Sequence, residues 1–484
     1  MGFRPPGNAE EEYCSPPVPF EKVDLMPRKL TRSLAYPDAD ALVFGRAIHP
    51  VTTRSGLVIG GGMVYPEINF TLPPMLITQD TFGAVLVNYR EITEGICRRA
   101  VELQVPGFVA EIELLPPMTF NPAWGVEVTR TVVDIIHDYE AKEGICGAVR
   151  ITPVDIREGR ELEHMWHGSH WDNIMATFEG AAGAGAELLA IESVGGKEVH
   201  DKAVMYCDLP MSVFALSVLG ALDMEHLWTA IVDVAGRTGT VAAGDTACGF
   251  ANTAMVLAER NYIPKVFAAT VRVVSAMRSL VAVEAGARGP HKDCGYEGVY
   301  VKAMTGIPVS LEGRSSACAH LSPVGNIAGC VADLWSNESV QNIKLLSGPA
   351  PTASFEQLVY DCRLFNTATQ RGDETARLLR DLHADSDSPL DPQAYVLRPD
   401  VVVRLSAELV KIDDGYERGK AAATLALGEL RRAHRRGDVL LDEREETWLD
   451  NLSRAADALP DTVAELTAEV ADSCEEYDPS KYDL

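Results

Sequence analysis

The feature that most constrains this chain is an alternation that runs from about residue 79 to residue 347. Runs with helical spacing, such as GAVLVNYREITEGICRRAVELQV and NPAWGVEVTRTVVDIIHDYEAKEG, take turns with short apolar or β-branched runs. The short runs are GFVAEIEL, ICGAVRITPVD, LLAIES, the first half of TGTVAAGDTACG, SLVAVEAG, IPVSLEG and VQNIKLLSG. Their expected strand ends fall near residues 113, 152, 192, 244, 285, 311 and 347. Helices are expected at HWDNIMATFEGAAGAGAE, around 211–220 and 222–236, at FANTAMVLAE, KVFAATVRVVSAM and VYVKAMTG, and following Ala319. Strands that alternate with helices pair in parallel. A strand covered by helices on both faces reads as a continuous apolar run. Seven or more such steps over about 270 residues match the size of an α/β fold of the (βα)8 TIM barrel type. A doubly wound open sheet is the alternative. No GxGxxG follows a first strand, so a dinucleotide fold has no support.

The flanks of the alternation read differently. Residues 1–75 form an N-terminal lead-in or cap, rich in Pro turns and carrying the run Gly60-Gly61-Gly62. Residues 76–399 are the expected barrel. Residues 400–484 are helical and charged, and they end in DSCEEYDPSKYDL, an acidic tail expected to fray. At 484 residues and 46% apolar, the chain can bury one large core. The 43 Lys and Arg against 70 Asp and Glu leave a formal charge of -27, which argues against nucleic acid and anionic membranes as partners. The same acidic balance favours a soluble cytoplasmic protein; the N-terminus has no apolar signal-type region and no run of 18 uninterrupted apolar residues occurs, so neither a signal peptide nor a membrane span is expected. Gly2 starts a myristoylation-like pattern that Pro5 and Pro6 spoil.

Ten cysteines in such a chain need an account. Cys14, Cys97, Cys146, Cys207, Cys248, Cys294, Cys318, Cys330, Cys362 and Cys474 are scattered and form no CxxC pair, so no disulfide framework is expected. Each reads first as a small buried hydrophobe. Three strand ends nevertheless carry unusual residues. LLAIES ends near Glu192, VAAGDTACG places Asp245 and Cys248 after another strand, and GPHKDCGYEG carries Cys294. In a barrel such positions converge on one mouth. Two thiolates and a carboxylate suit a catalytic zinc with one open position, and the sulfurs select a soft or borderline ion. Core packing is the competing reading of both cysteines, although Lys292 and Asp293 argue against a simply buried loop. Glu111 and Glu113 end another strand and could hold a proton, orient a hydroxyl, or line a solvated rim. HMWHGSH offers His164, His167 and His170 either to a metal or to a polar loop, and Cys318 with His320 could supply alternative ligands. No GxSxG, Walker A or HExxH motif anchors a hydrolase or nucleotide-triphosphatase reading.

Four segments, GGGMVYPEINFTLPPM at 60–75, LLAIESVGGKEVHDKA at 188–203, GDTACGFANTAMVLAE at 244–259 and GPHKDCGYEGVYVKAMTGIPVSLEGRSSACAHLSPVGNIAG at 289–329, carry a specific resemblance. The chain resembles the zinc-containing methanol:corrinoid methyltransferase family over nearly its whole length. The resemblance implies a (βα)8 barrel with added helices and a Zn2+ held by Glu192, Cys248 and Cys294. It also implies methanol as methyl donor, a separate corrinoid-carrying protein as acceptor, and a homodimeric core within a hetero-oligomer. A hydroxide leaving group would need both a Lewis acid and a proton donor. Glu111, Glu113, Asp245 and Lys292 are the candidate catalytic residues, with Glu67 a further residue of the rim. The competing readings are transfer from another small methoxylated or methylated substrate, a non-catalytic barrel that binds a corrinoid protein, and a zinc hydrolase.

Overall fold

The computed structural model describes residues 28–70, 75–159, 162–292, 294–337, 344–346 and 348–484. Gly2, Cys14 and the rest of the first 27 residues lie outside the described residues, as does Asp293.

The alternation resolves into a barrel. Strands β1 (Arg46–Thr52) and β2 (Val58–Gly61) form an antiparallel hairpin. Seven strands then build one sheet: β3 (Tyr65–Phe70), β4 (Phe108–Glu113), β5 (Gly147–Thr152), β6 (Leu188–Ile191), β7 (Val241–Asp245), β8 (Ser310–Glu312) and β9 (Leu334–Ser336). Their order is β7-β6-β5-β4-β3-β9-β8 and every neighbouring pair is parallel. The gap between the edge strands is closed by residues 288–291. Arg288 N and Gly289 N donate to Ala242 O and Ala243 O at 2.8 Å, on the β7 side. On the β8 side, His291 N donates to Pro308 O at 2.9 Å and Ser310 N to His291 O at 2.8 Å. This short segment takes the eighth strand's place.

Several expectations are corrected here. SLVAVEAG is not a strand but the end of the helix Lys265–Glu284. Eighteen of that helix's residues are buried, and a helix buried all round has no polar stripe to set it apart from a buried strand. Residues 340–343 and 347 of VQNIKLLSG lie outside the described residues, and the described ones enter only β10 (Lys344–Leu345) and β11 (Gly348–Pro349), a small ladder separate from the barrel. The true strand nearby is β9, three residues with too little pattern to read. Ala319 is followed by a turn and a 3-10 helix at Ile327–Cys330, not by a regular helix. The first barrel strand, β3, falls inside the segment expected to be a lead-in, ahead of the boundary at 76.

Side chains alternate across each strand. The inward set is apolar at the N-terminal end, where Tyr65, Val109, Ala148, Leu188 and Leu334 pack with Leu57 and Ile59 of the hairpin. The hairpin plugs that end: Ser55 N donates to Glu187 Oε2 at 2.9 Å and Cys146 Sγ to Ser55 O at 2.9 Å. Further along the strands the inward positions turn polar, with Glu67, Glu111, Arg150 and Ser310, and then reach the C-terminal mouth.

Two helical stretches, Leu209–Thr238 and Lys265–Glu284, have the length and hydropathy of a membrane span, and 61% and 94% of their most apolar windows are buried inside the fold. They are core helices. The C-terminal helices Gly415–Arg436 and Glu443–Asp457 pack on the second of them. The acidic tail does not fray as expected. Its Lys481 and Tyr482 are buried, Tyr482 OH accepts from Gly196 N at 2.9 Å, and Lys481 Nζ lies 3.1 Å from Glu198 Oε2.

Candidate metal centre

Parallel strands bring their C-terminal ends to one rim, and three of the segments that follow them supply soft and hard donors. Glu192 comes directly after β6 and is bridged to Val154 after β5. Cys248 opens the π-helical turn Cys248–Asn252 beyond β7. Cys294 follows the closing segment 288–291. One carboxylate oxygen of Glu192 and the two sulfurs all lie within 4.8 Å of one another, the one such group among the described residues. Cys294 Sγ sits 3.6 Å from Glu192 Oε1. Zinc donors stand about 2.0–2.3 Å from their ion, so small side-chain rotations would bring all three onto one cation.

The electrostatics fit that use. A hydrogen bond with Cys294 lowers the Cys248 pKa, but burial and the Glu192 and Glu312 carboxylates outweigh it and push the thiol up to about 11. Burial, then Cys248, raises the Cys294 thiol well above its ordinary range. Two such thiols become thiolates only when a cation replaces their protons. The set suits a soft or borderline divalent ion.

Behind the donors lies a chain of buried charges. Lys292 Nζ is 2.8 Å from Glu111 Oε1 and 3.3 Å from Glu192 Oε1, and it also pairs with Glu113. Asn69 Nδ2 donates to Glu113 Oε1 at 2.9 Å and Thr152 Oγ1 to Glu111 Oε1 at 2.7 Å. Burial pushes the Glu113 carboxyl up to about 7, with Lys292 pulling against it and Glu192 and Glu111 adding to it. At Glu111 burial is outweighed by Lys292 and Arg150, so its pKa is lowered. Lys292 is also buried, yet Glu111, Glu113 and Glu192 hold its ammonium charged, with a pKa well above the usual value. Glu67 is not a rim residue. It is sealed inside the barrel in a 2.7 Å pair with Arg150, whose Nη1 donates to Pro290 O at 2.9 Å.

Asp245 leaves the candidate catalytic set. Its Oδ1 accepts from Ser193 N at 3.2 Å and its Oδ2 from Trp228 Nε1 at 3.1 Å, with Arg278 Nη1 3.7 Å away. Burial raises its pKa to about 6, against the pull of Arg278. The cause of its outward turn is a bulge. The register passes from Leu189↔Ala242 to Ala190↔Gly244, so Ala243 is the extra residue and Asp245 falls opposite the outward-facing Ile191. Gly244 has φ 147, and a Cβ there would lie 2.8 Å from His291 Nδ1, so glycine is required at the bulge.

The other candidates lie apart from the donors. His164 stacks on His167 at 3.8 Å and faces Asp483 at 3.2 Å, while His170 packs edge-on against Phe120. Cys318 is exposed. His320 stands one layer out: its Nε2 is 3.5 Å from Asn252 Nδ2, which donates to Cys248 Sγ at 3.7 Å.

Sequence reading missed the groups that hold the donor segments. Thr246 Oγ1 accepts from Cys294 N and Gly295 N, both at 3.3 Å, and Glu297 Oε1 accepts from Ala247 N at 2.6 Å. Glu312, buried at the end of β8, adds charge to both thiols. It was the findable one, because SLEG ends a strand in a carboxylate much as AIES does.

Fold and site together define an α/β barrel with two thiols and a carboxylate gathered at the C-terminal ends of its strands. Residues 28–483 match the family model described as methanol-cobalamin methyltransferase B subunit. The chain is 40% identical over 443 residues to the methanol–corrinoid protein co-methyltransferase of Methanosarcina barkeri (strain Fusaro / DSM 804), covering 90% of this chain and 95% of that one. It also superposes on a chain of the crystal structure of the methanol:cobalamin methyltransferase complex MtaBC from Methanosarcina barkeri, with a TM-score of 0.90 and 37% identity, over 94% of this chain and 100% of that one. The chain belongs to the methanol-cobalamin methyltransferase B subunit family, and it is a methyltransferase.

Proposed function

We propose that this chain transfers the methyl group of methanol to the cobalt(I) corrinoid of a separate carrier protein, using a Zn2+ held by Glu192, Cys248 and Cys294. The observation that carries this reading is the meeting of those three donors within 4.8 Å at the barrel mouth. The relatives' activity and assembly support the choice of substrate and partner. When bound, zinc supplies Lewis-acid stabilisation of the charge that develops on the alcohol oxygen.

The remaining work falls to the chain's own residues. Lys292 sets a fixed positive charge 3.3 Å from Glu192, which offsets a donor set that is otherwise net negative. Glu113 has a pKa of about 7 and so is poised to carry a proton near neutral pH. In the transfer the carbon–oxygen pair stays with oxygen, and the new cobalt–carbon bond uses the electron pair of cobalt(I). The departing hydroxide takes one proton, which Glu113 hands over from its carboxyl and Lys292 keeps oriented. Glu111 stays ionised and holds Lys292 in place.

A corrinoid is wide, so its carrier must meet an open face. Met75, Leu76, Phe120, Leu321, Leu345 and Leu346 are exposed apolar residues on segments that follow β3, β4, β8 and β9, and they suit docking of a protein partner around the mouth. A homodimeric core and a reducing cytoplasm, which keeps the thiols free, complete the proposal. The test is to mix the zinc-loaded chain with reduced corrinoid protein and follow methylation of the cobalt spectroscopically. Methylation is expected with methanol and not with methoxy-aromatics; no methylation from methanol overturns the reading.

A further inference from the structure

Resting on that metal assignment, we infer that Asp245 and Arg278 are positioning residues that lock the Glu192 and Cys248 segments together and thereby set the affinity for the metal. Both side chains are wholly buried, and neither reaches the donor atoms. They grip the backbone on either side of the donors. The Asp245 carboxylate, three residues before Cys248, accepts from Ser193 N at 3.2 Å, the amide next to Glu192. Arg278 Nη2 donates to Ser193 O at 3.0 Å and to Ser193 Oγ at 2.6 Å. The same guanidinium lies 4.3 Å over the ring of Phe250, in the turn that Cys248 opens. One acid and one base on neighbouring elements thus tie the β6 donor to the β7 donor.

The rest of the Glu192 turn is held just as firmly. Val194 N donates to Asp155 Oδ2 at 3.0 Å. Asp155 is in turn forked by Arg157 at 2.9 and 2.7 Å, and Arg157 also grips Asp223 at 2.8 and 3.1 Å. Gly195 and Gly196 are pressed into this frame: a Cβ on the first would lie 2.2 Å from Asp223 Cβ, and one on the second 2.4 Å from Ala215 O. A turn fixed at the Ser193, Val194 and Gly196 amides is preorganised, and outer groups of this kind typically govern metal affinity by about 10–100-fold.

The experiment measures zinc affinity of the full chain by competition with a chromophoric chelator, alongside the visible spectrum of the cobalt(II)-loaded protein. Asp245→Asn keeps the shape but discards the charge that balances Arg278. It is expected to weaken zinc about 10-fold or more, while one metal per chain and the sulfur-to-cobalt absorption persist, since all three donors remain. Ser193→Ala removes one Arg278 contact from an otherwise intact turn and is expected to weaken zinc on the order of fivefold. Wild-type affinity in either folded variant overturns the inference. Glu192→Gln separates the two claims: full affinity in that variant would sink the metal assignment itself, whereas its loss beside an unaltered Asp245→Asn would sink only the positioning role.

Discussion

The two ends of the barrel are built from the same strands, two to four residues apart along them, and they solve opposite problems. At the N-terminal end the inward side chains are apolar, and the β1–β2 hairpin caps them with Leu57 and Ile59. At the C-terminal end the inward positions are Glu111, Glu113, Glu192 and Glu312, gathered around one buried cation, Lys292, and two thiols. Burying apolar area contributes to stability directly. Burying several carboxylates costs stability unless each finds a partner. The mouth thus carries the costly charges, and the plugged end supplies part of the stability that tolerates them.

The largest way to sharpen this contrast is Lys292→Met. It leaves the buried Glu111 and the half-buried Glu113 and Glu192 without their cation, and chemical denaturation of the metal-free chain is expected to show a loss of about 3–5 kcal/mol, with metal uptake impaired as well. Leu57→Ala tests the other end. It opens a cavity among Tyr65, Val109 and Leu334 and is expected to cost about 2–5 kcal/mol in the same assay, yet leave zinc stoichiometry untouched. If Leu57→Ala altered metal binding, the division of labour between the ends would break.

A smaller effect comes from pH. The Glu113 pKa is raised in the folded chain to about 7 from an ordinary 4.5. Between those values the folded chain holds a proton that the unfolded chain has released. Stability from this group is therefore present below about pH 4.5 and declines as pH rises to about 7. Urea titrations of wild type and Glu113→Gln across that window should show wild type losing stability relative to the variant as pH rises, with the difference levelling off above about 7. A constant difference would mean that Glu113 does not titrate there.

How much of this was legible in the sequence follows from the same contrast. The strands β4, β5, β6 and β7 were readable because each is a short apolar run between two amphipathic helices. Glu192, Cys248 and Cys294 were readable because polar residues at strand ends stand out there. SLVAVEAG was misread because a helix buried on every side looks like a buried strand. The segment Arg288–His291 went unseen because Gly289 and Pro290 suppress any strand pattern, although its backbone closes the barrel. Asp245 is expected at the mouth because it follows a strand end near 244, but the strand runs on to Asp245 and one extra residue at Ala243 turns its side chain outward. The polar frame of Arg157, Arg278, Asp155 and Asp223 could not be inferred, because each partner is distant in the chain and nothing local marks the pairing.

The central claim, that Glu192, Cys248 and Cys294 form one metal centre, is tested most directly by metal analysis of the purified full chain beside Cys248→Ala and Cys294→Ala. The account predicts one zinc per wild-type chain and substantial loss of it in both variants, each still folded by circular dichroism. Full zinc occupancy in either variant would contradict it.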